Sequence, residues 1–259
     1  MIGNLARDVV DGGPPRVGGA PFYTARALRV LGVPAVIVTK GRARELAALG
    51  LRVVSRPVAS TTAFTIVNHE GGRQMSVGNV GETWTPQDAS GWVASALQNV
   101  RWVHVAPLLR CDFPAETLAV LARGRRLCLD GQGLVRVRKV GPLELDSEFD
   151  RTVLQHLTVL KLAQQEADVV LGEVSERSLR SLGVPEVIVT RGEAGSTVFA
   201  AGRVTEVAGA SVRGVADPTG AGDGFAAGYV AARSTGHSPV AAARRASALV
   251  AGLLSARLS

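Results

Sequence analysis

The chain has 259 residues, 46% of them hydrophobic, which is enough for one large α/β domain or two small ones. It has no apolar run of ~20 residues and no basic N-terminal segment followed by an apolar core, so we expect no membrane partner, no secretory signal and a cytoplasmic location. The net charge of +7 is typical of some nucleic-acid-binding proteins, but the arginines are scattered and aromatic residues are only 4%, so we expect no nucleic-acid partner.

The N-terminal part of the chain alternates apolar runs with helical spacing and turn residues. The expected elements are, in order, a short strand ending near Asn4, a helix over 21–31, a strand over 35–39, a helix over 42–49, a strand over 51–55 and a hairpin over about 61–78. Few apolar residues precede Gly3, so either the first strand is short or the true N-terminus lies upstream of Met1.

The rest of the chain continues the alternation. Strands are expected over 101–106, 126–130, 157–162, 186–190, 196–200 and 212–216, with helices over 114–123, from 226 to about 234 and from 238 onward. Such alternation predicts an α/β domain with a mostly parallel sheet. Cys111 and Cys128 lie in or near apolar runs, so we expect two buried thiols rather than a disulfide or a metal pair.

The most informative stretch is 217–225, DPTGAGDGF, where the last predicted strand meets a helix. Free N–H groups at a helix N-terminus and the positive end of its dipole together bind anions. The small residues that leave these N–H groups uncovered are Gly220, Ala221 and Gly222. A carboxylate at Asp223 would repel a bound phosphate, but it is explained if it accepts a proton from a hydroxyl that attacks that phosphate.

This stretch resembles the C-terminal signature D-x-x-G-A-G-D-x-F of the ribokinase-like (PfkB) carbohydrate kinases. The resemblance implies a single three-layer α/β/α kinase domain over 1–259, with a mostly parallel central sheet and a small β lid formed by the hairpin over about 61–78. It also implies ATP-dependent phosphorylation of a hydroxyl, with Asp223 as base and the backbone of 220–222 as anion hole. Asp217 would hold a monovalent cation such as K⁺.

The N-terminal segments resemble the family's acceptor site. Gly3 to Asp8 is similar to G-x-x-x-x-D, whose carboxylate binds substrate hydroxyls, and two vicinal O–H groups suit a carboxylate. Gly18 and Gly19 match the N-terminal Gly-Gly signature. The family commonly has Asn where this chain has Tyr23, which would form an apolar wall.

Three later segments resemble the family's donor site. Residues 190–195 are similar to T-x-G-x-x-G, and the residues implied to bind ATP are Thr190, Gly192, Gly195 and Thr219. Glu166 matches the acid of N-x-x-E, which holds Mg²⁺ through water, while Ala163 replaces its Asn; Mg²⁺ still needs few protein ligands. Asp130 ends a predicted strand, where α/β sheets place ligands.

Several functions stay open at this point. Within the family, the chain looks closest to polyol kinases of the inositol kinase kind, with a small sugar or polyol as partner, and nucleoside and hydroxymethylpyrimidine kinases are alternatives. A non-catalytic nucleotide or sugar sensor on the same fold is a second class. A dinucleotide-dependent oxidoreductase is disfavoured because no early G-x-G-x-x-G is present. The oligomeric state is expected to be monomer or homodimer.

Overall fold

The computed structural model describes residues 1–41, 49–69, 72–210 and 218–256. In chain order the strands are β1 (Ile2–Asn4), β2 (Ala6–Val10), β3 (Arg16–Gly18), β4 (Val36–Lys40), β5 (Arg52–Arg56), β6 (Thr62–His69), β7 (Gly72–Asn79), β8 (Trp102–Ala106), β9 (Arg126–Asp130), β10 (Gly141–Pro142), β11 (Val159–Ala163), β12 (Glu186–Thr190), β13 (Ser196–Ala200) and β14 (Arg203–Val207). The helices are α1 (Ala20–Leu31), α2 (Pro86–Ser90), α3 (Trp92–Ala96), α4 (Ala115–Ala122), α5 (Gln132–Val135), α6 (Gln164–Leu171), α7 (Glu176–Ser181), α8 (Ala221–Ser234) and α9 (Pro239–Ser255). The helix predicted over 42–49, apart from its last residue, the strand predicted over 212–216 and the cation ligand predicted at Asp217 lie outside the described residues.

The main sheet has the strand order β14-β13-β12-β11-β9-β8-β1-β4-β5. From β5 to β12 every neighbouring pair is parallel, and β13 is antiparallel to both of its neighbours. The carboxyl ends of the seven parallel strands therefore meet at one edge of the sheet, which is where open α/β sheets bind ligands.

Helices cover both faces of the main sheet. Leu127 and Leu129 of β9 pack with α2, α4 and α7 on one face. Cys128, between them, points to the other face and packs with Phe225 and Tyr229 of α8 and with alanines of α9, while α1 extends this layer. Alternation along one buried strand thus supplies two hydrophobic cores. The predicted three-layer α/β/α fold with a mostly parallel sheet is confirmed.

A second sheet lies beside the carboxyl ends of the parallel strands. Its order is β10-β7-β6-β2-β3, with only β2 and β6 parallel. The hairpin predicted over about 61–78 is present as β6 and β7, and it is joined by three more strands. One of them, β2, carries Asp8, so the chain passes from the main sheet into the second sheet within a few residues of its start.

Local sequence explains where the key helices begin and end. Helix α1 ends at Gly32, whose left-handed backbone (φ 60°) suits a residue without a Cβ. Thr85 and Asp88 form a reciprocal capping box at the start of α2.

No helix in the described part of the chain is long and apolar enough to cross a membrane. The buried-thiol prediction holds for Cys128 but is wrong for Cys111, which is exposed where the chain turns with a positive φ of 61°.

Candidate active site

A cavity of about 260 Å³ separates the second sheet from the carboxyl ends of the parallel strands and the start of α8. Both sheets, helix α1 and the loop before α8 contribute to its walls. Its charged lining residues are Asp8, Arg73, Asp130, Arg136, Lys161, Glu166 and Asp223. Of the residues predicted for a site, it also contains Gly19, Tyr23, Thr219, Gly220 and Gly222. Residues far apart in the chain therefore meet in one polar cavity.

Asp223 lies in the first turn of α8 and faces this cavity. It takes part in no ion pair with the other described residues. Burial, followed by the negative charge of Asp130, raises the pKa of Asp223 to about 6, although Lys161, His104 and Arg136 act in the opposite direction. The carboxylate is thus available to a ligand and is close to the pKa that suits a general base near neutral pH.

The backbone N–H groups at the start of α8 differ in whether they are free to donate a hydrogen bond to a ligand. Gly220 precedes the helix with a φ of 81°, and a Cβ there would lie 2.2 Å from the Tyr23 ring, so both conformation and packing require glycine. The N–H of Ala221 donates to the carbonyl of Pro218 at 3.0 Å. Ala221, one of the three predicted anion-binding amides, is therefore engaged in a turn, and the amides of Gly220 and Gly222 make no backbone hydrogen bond to the described residues.

A buried chain of charges runs beneath this helix start. Lys161 Nζ lies 3.4 Å from Asp130 Oδ1, and Asp130 Oδ2 lies 2.6 Å from His104 Nε2. Burial disfavours the charged forms of both Asp130 and Lys161. Against this effect, Lys161 and His104 lower the pKa of Asp130. The carboxylates of Asp130, Glu166 and Asp223 in turn raise the pKa of Lys161. A Cβ on Gly222 would lie 2.9 Å from Lys161 Nζ, so the ammonium group lies directly against the start of α8.

Asp8 forms the opposite wall of the cavity. Its side chain is buried, its Oδ1 atom has no hydrogen-bond partner among the described residues, and burial raises its pKa to about 6 against the charges of Arg16, Arg73 and Arg136. A Cβ on Gly18 would lie 1.9 Å from Asp8 Oδ2, so this glycine makes room for the carboxylate. Asp8 lines the cavity and has an oxygen without a partner in the protein, so its carboxylate is a candidate acceptor for a ligand's hydrogen bonds.

A second cavity, of about 380 Å³, lies on the other side of the start of α8. Three of the residues predicted to bind nucleotide, Thr190, Gly192 and Gly195, line it, together with apolar side chains of α8 and α9. Thr219, the fourth, lines the first cavity instead. Gly222 lines both cavities, so they meet beside Asp223. Arg191 does not reach this space, because its guanidinium donates to Thr197 Oγ1 at 2.6 Å and pairs with Glu206.

Glu166 is buried, although the sequence by itself indicates an exposed helical residue. Its Oε2 accepts the N–H of Ala163 at 2.8 Å, which fixes the carboxylate in the first cavity. Within the described ranges no three His, Cys, Asp or Glu side chains cluster as a metal site. One fixed carboxylate still fits Mg²⁺, because this ion keeps several waters and takes its other oxygen ligands from phosphates.

The sequence prediction missed four residues that the structure brings to this site. Lys161 and His104 each interrupt a buried apolar strand, in VLKLA and WVHVA, and a charged or polar residue in such a run is a signal that could have revealed them. Arg73 lies in a polar hairpin and Arg136 precedes two further basic residues, Arg138 and Lys139, so nothing in the sequence distinguishes them from surface arginines.

Comparisons with known proteins agree with this architecture. The sequence pattern of the pfkB family carbohydrate kinases matches residues 16–256. The chain is similar, at 25% identity and a TM-score of 0.80, to a pyrophosphate-dependent kinase in the ribokinase family complexed with a pyrophosphate analog and myo-inositol, covering 96% of this chain and 92% of that one.

Two more distant structures share the fold. A Burkholderia thailandensis nucleoside kinase in complex with inosine has 21% identity and a TM-score of 0.74, over 96% of this chain and 89% of that one. An Arabidopsis thaliana ribokinase complexed with ribose and ATP has 19% identity and a TM-score of 0.71, over 96% and 90% of the two chains.

Proposed function

Because the chain belongs to the pfkB family of carbohydrate kinases, and is therefore a phosphotransferase with an alcohol group as acceptor, we propose that it transfers the terminal phosphoryl group of ATP to a hydroxyl of a small sugar or polyol. The observation that carries this proposal is the position of Asp223, which faces one cavity at the point where Gly222 joins it to the other. The acceptor lies in the first cavity, the donor lies in the second, and the transfer takes place between them.

Asp223 acts as the general base. The ionised carboxylate accepts the proton of the attacking hydroxyl as the new P–O bond forms and the bond to the departing ADP breaks. A pKa of about 6 keeps this group mostly ionised at pH 7 while it remains basic enough to take a proton. Asp8 orients the acceptor, because its carboxylate lines the cavity and can accept hydrogen bonds from other hydroxyls.

The negative charge that develops on the transferred phosphoryl group is stabilised by fixed donors. These are the amides of Gly220 and Gly222 and the ammonium group of Lys161, which lies against Gly222. Fixed donors of this kind contribute about 3 kcal/mol each in comparable roles. Asp130 and His104 hold Lys161 in place from below.

Glu166 is the residue that would hold the water shell of Mg²⁺, and the ion would supply charge neutralisation to the donor phosphates. The monovalent cation predicted at Asp217 stays a prediction. We also propose that residues 1–259 form one kinase domain in which the five-stranded sheet is the lid, that the protein is cytoplasmic, and that it acts as a monomer or homodimer.

The donor is ATP rather than pyrophosphate on this proposal, although one similar structure is a pyrophosphate-dependent kinase. The donor cavity extends past the glycines of 192–195 to an apolar wall that includes Val250 and Leu254. Pyrophosphate has no apolar part, whereas an adenine ring gains from an apolar wall. The surface beyond the phosphate region therefore favours a nucleotide.

The test compares ATP and pyrophosphate as donors over a panel of sugars, polyols including myo-inositol, nucleosides and hydroxymethylpyrimidine, with release of ADP or phosphate as the readout. Val250→Trp fills the apolar part of the donor cavity, so it should abolish the use of ATP; Val30→Trp, at a position 65% exposed on α1, is the control for added bulk. Turnover with pyrophosphate but not with ATP would reject ATP as the donor. Nucleotide binding without turnover of any acceptor would favour the non-catalytic sensor instead of a kinase.

A further inference from the structure

The acceptor cavity is lined by four carboxylates and three cations, and two of the cations, Arg73 and Arg136, form no ion pair with any described residue. Lys161 is accounted for by Asp130, but Arg136 also faces the cavity. Arg136 is half-buried, and its side chain makes no hydrogen bond or ion pair with any residue in the described ranges. Burial lowers the pKa of Arg136 and the carboxylates of Glu166 and Asp223 raise it, so the guanidinium lies in the field of both carboxylates without a hydrogen bond to either.

Neighbouring arginines of the same segment are satisfied within the protein. Arg138 pairs with the buried Asp112 at 2.6 Å and donates to the carbonyl of Gly81 at 2.6 Å. Arg110 donates to several carbonyls of this segment, including that of Leu134 at 2.8 Å. The fold therefore fixes the segment through two arginines and leaves the third directed into the cavity.

The backbone of Arg136 is itself fixed. Its N–H donates to the carbonyl of Gln132 at 3.0 Å, and its carbonyl accepts the N–H of Arg110 at 2.8 Å. The backbone at Arg136 is therefore in place before a ligand binds, and only the side-chain rotamers have to be ordered.

A second guanidinium approaches from the other sheet. Arg73 lies on β7, on the same side of the strand as Met75, and both line the cavity. The charge of Arg73 lowers the pKa of Arg136, which places the two like charges close to each other. Arg73 Nη1 donates to the neutral Thr219 Oγ1 at 3.3 Å, and its charge also acts on the carboxylate of Asp8. Two guanidinium groups that face one cavity form a site for a planar or tetrahedral anion.

We propose that the acceptor is an anion, a small polyhydroxylated carboxylate or phosphate monoester whose acidic group is bound by Arg73 and Arg136. This inference rests on the proposed function. The same molecule would present one hydroxyl to Asp223 and others to Asp8, on the opposite wall. The cavity of about 260 Å³ is below the usual range of ~300–1,000 Å³ for drug-sized ligands, which suits a molecule of sugar size.

The test uses the purified full chain and matched acceptors that differ in one acidic group. The neutral members are sorbitol, glucose, ribose and fructose, and their acidic counterparts are the carboxylates gluconate and glucuronate and the monoesters ribose 5-phosphate and fructose 6-phosphate. An acid that pairs with the half-buried Arg136 makes a charged contact that a neutral molecule lacks, so kcat/KM should be about 100-fold higher for at least one acid than for its neutral counterpart. Comparison of the carboxylates with the phosphate monoesters then shows which kind of acidic group the site binds.

Arg136→Met and Arg73→Met should each raise KM for the acidic acceptor by about 30-fold or more and leave KM for ATP within about threefold, because each removes one charged contact to the acceptor. Arg7→Met is the matched control, since Arg7 is exposed on β2 beside Asp8 and outside the cavity. Equal efficiency with neutral and acidic acceptors would overturn the inference. So would a rise in KM for ATP in the arginine variants, which would assign the arginines to the donor phosphates.

Calorimetric binding of gluconate and ribose 5-phosphate separates this inference from the proposed function. If an acid binds, loses binding in Arg136→Met and is not phosphorylated with any donor, the anion site stands and the kinase assignment for this site fails. If neutral acceptors are phosphorylated as well as the acids, the kinase assignment stands and the anion class fails. If no acid binds and none is phosphorylated, the anion site is rejected.

Discussion

Replacement of the proposed base, Asp223→Asn, should have opposite effects on activity and on stability. General bases contribute about 10²–10⁴-fold in rate, which corresponds to about 3–5 kcal/mol in the activation free energy, so we expect turnover to fall by that factor. Binding of ATP should persist, because the amides of Gly220 and Gly222 and the ammonium of Lys161 remain.

Stability should rise in the same variant. The pKa of Asp223 is raised from 3.8 to about 6 in the folded protein, so the ionised carboxylate destabilises the fold above pH 6. At about 1.4 kcal/mol per pKa unit this cost is about 3 kcal/mol at pH 7, and it disappears as the pH falls below 3.8. Asparagine cannot ionise, so Asp223→Asn should gain about 1–3 kcal/mol near neutral pH, which corresponds to roughly 3–9 °C in Tm.

The chain contains a control with the opposite sign. Asp88 is buried against Lys40, with Oδ2 2.9 Å from Nζ. Although burial opposes it, hydrogen bonds from Lys40 and Trp92 lower the pKa of Asp88, so its ionised form stabilises the fold at neutral pH and the gain is lost on acidification. Asp88→Asn should therefore lower Tm and leave turnover per folded molecule unchanged.

Differential scanning calorimetry at pH 7.5, together with an ADP-release assay, measures both effects. Normal turnover in Asp223→Asn would exclude the general-base role. Low turnover with an unchanged or lower Tm would show that the carboxylate is not strained in the folded protein, and the reasoning from burial and Asp130 would then be wrong. Only low turnover with a higher Tm agrees with both parts of the argument.

Three further outcomes are expected. Because Asp8 has a pKa of about 6, KM for the acceptor should rise as the pH falls through 6, and this dependence should be absent in Asp8→Asn initial-rate profiles. Gly222→Ala places a Cβ 2.9 Å from Lys161 Nζ and should lower kcat at least about tenfold, because the methyl group obstructs a hydrogen-bond donor. Its control is Gly252→Ala, which has open space around the new Cβ and should only stabilise α9, by up to ~1 kcal/mol in thermal melts. Lys161→Met should lower kcat by about 10²–10³ and cost about 3–5 kcal/mol in denaturant unfolding, because Asp130 loses its cation; near-normal kcat would remove the lysine from the mechanism.

The parts of the fold that the sequence predicted are those determined by local pattern. The strand over 126–130 is recognisable because RLCLD is a short, nearly continuous apolar run, and its two faces pack into two different cores. The hairpin over 61–78 has alternation and a glycine turn. Each of these signals is contained within about ten residues, so no tertiary information is needed to read it.

The second sheet was only partly predictable, because its assembly depends on distant pairing. Strand β2 begins two residues after β1 ends, too close for the sequence to show that the chain changes sheets at Leu5. Strand β10 has two residues, and it is a strand only because Gly141 and Pro142 pair with β7. Period and propensity cannot indicate such pairings, because the partner lies more than 60 residues away.

The site divides in the same way. Asp223 and Gly222 belong to a motif with fixed spacing, and the sequence therefore identifies them. Arg136 lies 87 residues from Asp223 and belongs to no motif, so its direction into the cavity follows from the bracing of its segment by Arg110. Glu166 shows the intermediate case: the motif indicates the residue, but only the packed structure reveals that it is buried.

The chemistry of the site depends on the ratio of cations to carboxylates, because there are fewer cations than carboxylates to compensate. Lys161 faces Asp130, Glu166 and Asp223, and all three raise its pKa against the effect of burial. Arg136 acts on the same three carboxylates. Two cations cannot neutralise three carboxylates, so part of the negative charge stays uncompensated, and Asp130 raises the pKa of Asp223 in addition to burial. If Asp130 were absent, Lys161 would pair with Asp223 and weaken it as a base. The interaction between Asp130 and Lys161 therefore does two things: it fixes a cation against the start of α8, and it keeps that cation from pairing fully with the group that must accept the proton.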